Sequence, residues 1–88
     1  MQIRFFKPFD DLTGGQEVHF QLGKSVSVRK LLKLIEMRFP SFEPYVKKEG
    51  DEVQNFFAVL VRGDEILKLD DEVGEEDVVK IFPPISGG

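Results

Sequence analysis

Hydrophobic and polar positions change period several times along the chain, and each change marks an element. "QIRFFKPF" at residues 2–9 has strand composition, with Ile3 and Phe5 alternating with Arg4 and Phe6. Pro8 ends that ladder because its nitrogen has no proton to donate. "DLTGGQ" at 11–16 reads as a connecting loop, in which Gly14 and Gly15 are free to take positive φ. "EVHFQL" at 17–22 alternates cleanly: Val18, Phe20 and Leu22 share one face, and Glu17, His19 and Gln21 the other. The two runs predict an antiparallel hairpin with one wet side. The period then lengthens. Val28, Leu31, Leu32, Ile35 and Phe39 form one stripe of a helix. Ser27 is placed to cap its first turn, and Pro40 stops it.

Residues 41–55 hold no sustained period and many turn formers, which predicts a long loop with one helical turn near Tyr45. "FFAVLVRGDEILKL" at 56–69 predicts a buried strand, a tight turn at Gly63 and Asp64, and a short return strand. An acidic turn, "DDEVGEED" at 70–77, leads into the last strand, "VVKIF", where Val79 and Ile81 alternate with Lys80. Two strands, a helix across their apolar face and further strands make a two-layer α+β domain. No repeat, low-complexity segment or linker interrupts it.

Composition narrows the function. The chain has 88 residues, the size of one domain, and its nine Phe supply much of a core. It has no Cys, which removes disulfides, thiol nucleophiles and thiolate metal sites, and its one His cannot build a histidine metal site. No apolar stretch approaches the length of a membrane span, and the N-terminus lacks a signal-peptide pattern, so a soluble cytoplasmic protein is expected. Net charge is −4 but unevenly spread. Residues 1–48 hold nine Lys/Arg and five Asp/Glu; residues 49–88 hold three and eleven. The acidic half would repel nucleic acid. The basic residues Arg29, Lys30, Lys33 and Arg38 read as a solvated helix face. Neither a nucleic-acid partner nor a membrane partner is expected.

Several short motifs invite a chemical reading, and each has a plainer one. "TGGQ" at 13–16 lacks the Gly-Lys-Ser/Thr of a phosphate loop and joins two strands. "RGD" at 62–64 matches an adhesion tripeptide but reads as a turn. His19 points outward with no partner at useful spacing. The carboxylates of 70–77 do not follow a calcium-loop pattern and read as a solvated turn or a docking patch. No nucleophile, base and acid set supports catalysis, and no metal or cofactor is expected.

What remains is "IFPPISGG" at 81–88. Pro83 and Pro84 favour an extended stalk. Gly87 and Gly88 have no Cβ, so a narrow channel in another protein admits them. The Gly88 carboxylate becomes an electrophile only when activated, for example as an acyl-adenylate, and the chain has no nucleotide site of its own. By alternation Phe82 shares the face of Lys80, away from Val79 and Ile81, which suits a partner contact at the base of the stalk. The residues alone leave two readings open: a working end, or an inert tail beneath a Phe that caps the core.

"GEEDVVKIFPPISGG" resembles the C-terminal signature of the small subunit of molybdopterin synthase and related β-grasp sulfur carriers. "IRFFKPFDDLTG" is similar to that family's first strand and loop, and "FFAVLVRGDEI" to its third strand and turn. Archaeal ubiquitin-like small modifiers share the ending, and so do thiamine-pathway carriers, although Phe-Pro-Pro favours the molybdopterin branch. The resemblance implies a ubiquitin-like β-grasp fold: a mixed sheet of four to five strands, the last parallel to the first, with one main helix on one face. It implies a β-grasp domain over 1–82 and an extended tail over 83–88. By the same resemblance an E1-like enzyme adenylates Gly88, which then carries sulfur as a thiocarboxylate. Gly87 is its essential neighbour, and Phe82, Pro83, Pro84, Ile85 and Ser86 complete the docking segment for the synthase's large subunit. Attack by target-protein lysines on the same activated end would make the protein a modifier instead. A passive β-grasp binding module is the reading from another class. The loop over 41–55 is longer than a minimal family member needs.

Overall fold

The helical stripe of the sequence closes over one face of a mixed β-sheet. The computed structural model describes residues 1–84. Strand β1 is Gln2–Phe5, followed by a short helix α1 (Phe9–Thr13) and β2 (Glu17–His19). A short β3 (Val26–Ser27) leads directly into the main helix α2 (Val28–Arg38). After a 3-10 turn at Pro40–Tyr45 come β4 (Val46–Glu49), β5 (Glu52–Phe56), β6 (Val59–Arg62), β7 (Glu65–Ile66), β8 (Glu72–Val73) and β9 (Val78–Phe82).

Helix α2 forms for the reasons read from its sequence. The Ser27 hydroxyl accepts the Lys30 N–H at 3.1 Å, satisfying one of the first turn's orphan donors. Val28, Leu31, Leu32 and Ile35 are fully buried. The Phe39 N–H still reaches the Ile35 carbonyl at 2.8 Å, and Pro40 ends the helix there.

The main sheet runs in the order β2-β1-β9-β6-β7. Its one parallel pair joins the two ends of the domain: Gln2 lies opposite Val78, Ile3 opposite Val79, Arg4 opposite Lys80 and Phe5 opposite Ile81. The other pairs are antiparallel. A strand pair this distant in sequence, crossed on one side by a helix, is the ubiquitin-like β-grasp arrangement. The inner face presents Ile3, Phe5, Val18, Leu60, Val79 and Ile81 to α2, each worth about 1.5–3 kcal/mol when fully buried. One end of the core is aromatic: Phe9 packs on Phe42 at 5.3 Å and edge-on to Tyr45 at 4.8 Å between ring centroids.

Three segments depart from the sequence-based expectation. The connection between β1 and β2 is not a simple hairpin loop, because Phe9–Thr13 form a helical turn that buries Phe9. Gly14 ends that turn at φ +77°, a conformation costly for any residue with a Cβ. Residues 41–55 are not a long loop. Beyond the 3-10 turn, which buries Phe42, they form the β4–β5 hairpin with Gly50 at its tip. Val46 and Val53 enter the core from that hairpin. It is tied to α2 by the Arg29 guanidinium donating to the Val53 carbonyl and by the Lys48–Glu36 ion pair. The acidic segment is also more than a turn, since Glu72–Val73 pair with Val26–Ser27.

Candidate partner-docking face

Helix α2 covers one face of the sheet and leaves the other open. In β9, Val79 and Ile81 are fully buried while Val78 and Lys80 are exposed, so strand alternation sends Phe82 to the open face. It is half-buried there because its ring stacks on Phe6, with centroids 4.4 Å apart and planes 13° from parallel. Phe6 is held just past β1 by its N–H, which donates to the Ile81 carbonyl at 3.0 Å. Val59 lies opposite Phe82, and Val61 opposite Ile66. Val59, Val61, Ile66, Phe82 and Pro83 line an open apolar groove of about 420 Å³. Ile66 is 66% exposed, a large apolar side chain left in water at the groove's edge. Apolar side chains from β6, β7 and β9 and the first residue beyond β9 thus share one stretch of open surface.

The sheet thus brings two expected docking residues together, Phe82 and Pro83, with Pro84 exposed beside them. Ile85, Ser86, Gly87 and Gly88 lie outside the described residues. The groove also contains residues that the sequence reading did not single out: Val59, Val61 and Ile66, with Phe6 beneath Phe82. Their common signal was parity, since each is the outward member of an alternating run. Which of them meet depends on the strand order, which local pattern does not contain.

The acidic segment proves to be largely occupied within the fold. The Asp77 Oδ2 accepts from the Gly74 N–H at 2.7 Å and the Arg62 guanidinium at 3.0 Å. The Gly74 amide, then Arg62, hold the Asp77 carboxyl below its ordinary range against the opposing effect of desolvation. The Glu75 Oε2 accepts from Leu22 N–H at 2.6 Å and Gly23 N–H at 3.3 Å, and Oε1 lies 3.4 Å from the Met1 amino group. The Leu22 amide is the main cause of a lowered Glu75 carboxyl. Asp71 caps the Lys68 N–H, and Asp70 pairs with Arg29. Asp77 immediately precedes β9, so it sits at the end of that strand away from Phe82, roughly 16 Å distant at 3.3 Å per residue.

The remaining motifs resolve similarly. Arg62 of the "RGD" donates to the Glu72 carbonyl, Asp77 and Glu65, and Gly63 turns the chain at φ +61°, so the tripeptide is a structural turn. Its engaged guanidinium is held strongly protonated, chiefly by Glu65 and Asp77. His19 is exposed on β2. Of the basic helix residues, Arg29 and Arg38 are tied to other parts of the chain, Arg38 by donating to the His19 carbonyl at 2.7 Å. Among the described residues, no group of three or more metal-ligating side chains gathers, and no helix is long and apolar enough to cross a membrane.

Known proteins carry the same architecture. The ThiS family model matches residues 3–88. Small archaeal modifier protein 3 of Haloferax volcanii is 26% identical over 91 residues, covering all of this chain and 98% of its own. Sulfur carrier protein TtuB of Thermus thermophilus is 57% identical over a 30-residue stretch, 34% of this chain and 46% of its own. Among solved structures, "Putative molybdopterin converting factor, subunit 1" from Pyrococcus furiosus superposes with a TM-score of 0.77 at 25% identity, covering 96% of this chain and 95% of that one. The β-grasp sheet, its parallel first and last strands and the family match lead to one conclusion: the chain belongs to the ThiS family of small ubiquitin-like sulfur carriers and modifiers.

Proposed function

We propose that this protein is a sulfur carrier of the cytoplasm, working through Gly88 as the small subunit of molybdopterin synthase. The observation that carries the reading is the apolar groove of Phe82, Pro83 and Ile66 on the open sheet face, which includes the first residue of the sequence segment 83–88. A partner that packs on the groove receives the tail in the same encounter. The carboxylate of Gly88 attacks the α-phosphorus of ATP in an E1-like enzyme, releasing pyrophosphate and forming an acyl-adenylate. Hydrosulfide from a sulfur donor then attacks the acyl carbon and displaces AMP, and loss of the sulfur-bound proton leaves a thiocarboxylate. The chain has no Cys, so this terminal group is the only sulfur of transferable form it would carry. The large synthase subunit then takes the same tail, and the sulfur passes to its pterin substrate. Similarity to the Pyrococcus furiosus protein supports this branch.

Full-length similarity to Small archaeal modifier protein 3 favours a second reading, in which a target lysine displaces AMP and Gly88 forms an isopeptide bond. Both readings share the first step. The test is the intact mass after incubation with an E1-like enzyme, ATP and a sulfur donor, beside a chain lacking Gly88. Gain of sulfur in place of oxygen, absent from the shortened chain, supports the carrier; no gain with a demonstrably active enzyme refutes it. Sulfur transfer to pterin with the large subunit, or a tail remnant on lysines in host extract, then separates the two readings.

A further inference from the structure

We propose that the free edge of β2 is a pairing surface for a second copy of this chain, held closed in the single copy by the Arg38 guanidinium.

Strand β2 ends the main sheet on one side, and only one of its own edges is used. The Gln16 carbonyl accepts the Phe5 N–H at 2.7 Å, and the Phe20 N–H donates to the Met1 carbonyl at 2.8 Å. Between these bonds Val18 lies opposite Ile3. Backbone groups along an antiparallel strand point to alternate sides, so Gln16, Val18 and Phe20 serve β1. Glu17 and His19 point theirs the other way, and among the described residues no strand pairs with them. An unpaired edge of this kind is a template for another strand.

Arg38 occupies that edge. It stands in the last turn of α2, and its Nη1 donates at 2.7 Å to the His19 carbonyl, one of the groups a new strand would need. Its guanidinium carbon also lies 4.8 Å from the centroid of the Phe20 ring and 5.6 Å from that of Phe39. The two rings hold the planar group over the strand, and its positive charge strengthens the bond it donates.

A second copy fits because the edge is complementary to itself. Two β2 strands laid antiparallel with Val18 opposite Val18 set Glu17 of each copy opposite His19 of the other. Both are outward-pointing residues, so each such pair exchanges both of its backbone hydrogen bonds. On the exposed side, the carboxylate of one copy meets the imidazole of the other, a favourable cross-strand pair. Each copy must first release its own Arg38 from the His19 carbonyl. The edge lies across the sheet from the groove of Val59, Ile66 and Phe82, so pairing there leaves that groove open.

Sedimentation velocity of the full chain at rising protein concentration tests the proposal. Arg38→Met keeps a hydrocarbon stem over Phe20 and Phe39 but cannot donate to the His19 carbonyl, so its melting temperature should stay close to wild type. It should dimerise about a hundred-fold more tightly than wild type, about ten-fold for each charged hydrogen bond that no longer has to be broken. Adding His19→Pro removes an outward N–H without touching the β1 ladder and should abolish the gain. Adding Glu17→Arg instead leaves the β2 backbone unaltered, sets a cation beside His19 of the other copy, and should weaken the dimer several-fold. A dimer of Arg38→Met no tighter than wild type overturns the proposal. So does a tighter dimer that neither added substitution weakens, since the contact then lies elsewhere. Association that appears only with loss of the cooperative melting transition is aggregation of unfolded chain and overturns it too.

Discussion

The stacked pair Phe6–Phe82 gives the sharpest test of which face carries the groove. A fully buried Phe contributes up to about 3 kcal/mol, so the half-buried Phe82 contributes about half of that. Its stack on Phe6 at 4.4 Å adds about 0.5–1.5 kcal/mol. Phe82→Ala should therefore cost about 2 kcal/mol. The neighbouring Ile81 is fully buried beneath α2, and Ile81→Ala should cost about 4 kcal/mol because it also opens a cavity. At 4–8 °C per kcal/mol for a domain of this size, the melting temperature should fall by about 12 °C and about 24 °C respectively. Urea denaturation of Phe6→Ala, Phe82→Ala and the double variant closes a cycle whose coupling should be about 1 kcal/mol. Equal losses for Phe82→Ala and Ile81→Ala would show that Phe82 belongs to the core. A coupling near zero would show that the stack does not hold the ring in place.

Two further outcomes follow from the polar contacts. The carboxyls of Glu75 and Asp77 are lowered in the folded state, so their stabilisation is fully present above their ordinary range, about pH 4–4.5, and is lost as pH falls through their folded values. Melting temperature should fall steeply with acidification in that window, and less steeply in Glu75→Gln and Asp77→Asn; an unchanged slope in both variants would contradict the assignment. Ser27→Ala removes the acceptor of the Lys30 N–H and should cost about 1 kcal/mol by urea denaturation, while Ser27→Asp should largely preserve stability; equal stability of Ser27→Ala and wild type would show that the cap contributes nothing.

Much of the fold was legible because its local signals agree. The stripe from Val28 to Ile35, the Ser27 cap and the Pro40 stop all point to one helix, and the structure contains it. The alternation around Lys80 likewise places Val79 and Ile81 inside. The β4–β5 hairpin was not legible. It has one wet side, buries little besides Val46 and Val53, and a bulge between Lys47 and Lys48 breaks the alternation that would have marked it. The Glu49–Glu52 turn around Gly50 was the available signal. The candidate site was half legible. Phe82 followed from parity on its own strand, but its neighbours Phe6 and Ile66 come from strands chosen by long-range pairing. The acidic segment misled in the opposite sense: its composition suggested free charge, whereas Asp77 and Glu75 spend theirs on backbone amides.

The central position of β9 has a mechanical consequence. The strand is hydrogen-bonded to β1 on one side and β6 on the other, and the tail continues from its C-terminal end. A pull on the tail acts along the strand, so both ladders bear the load in shear and their bonds share it. The same pull on an edge strand from the side would open one bond at a time. A domain tethered by its last residues is thus held by its most resistant geometry, and an unfolding motor drawing on that end meets the greatest resistance at the first step.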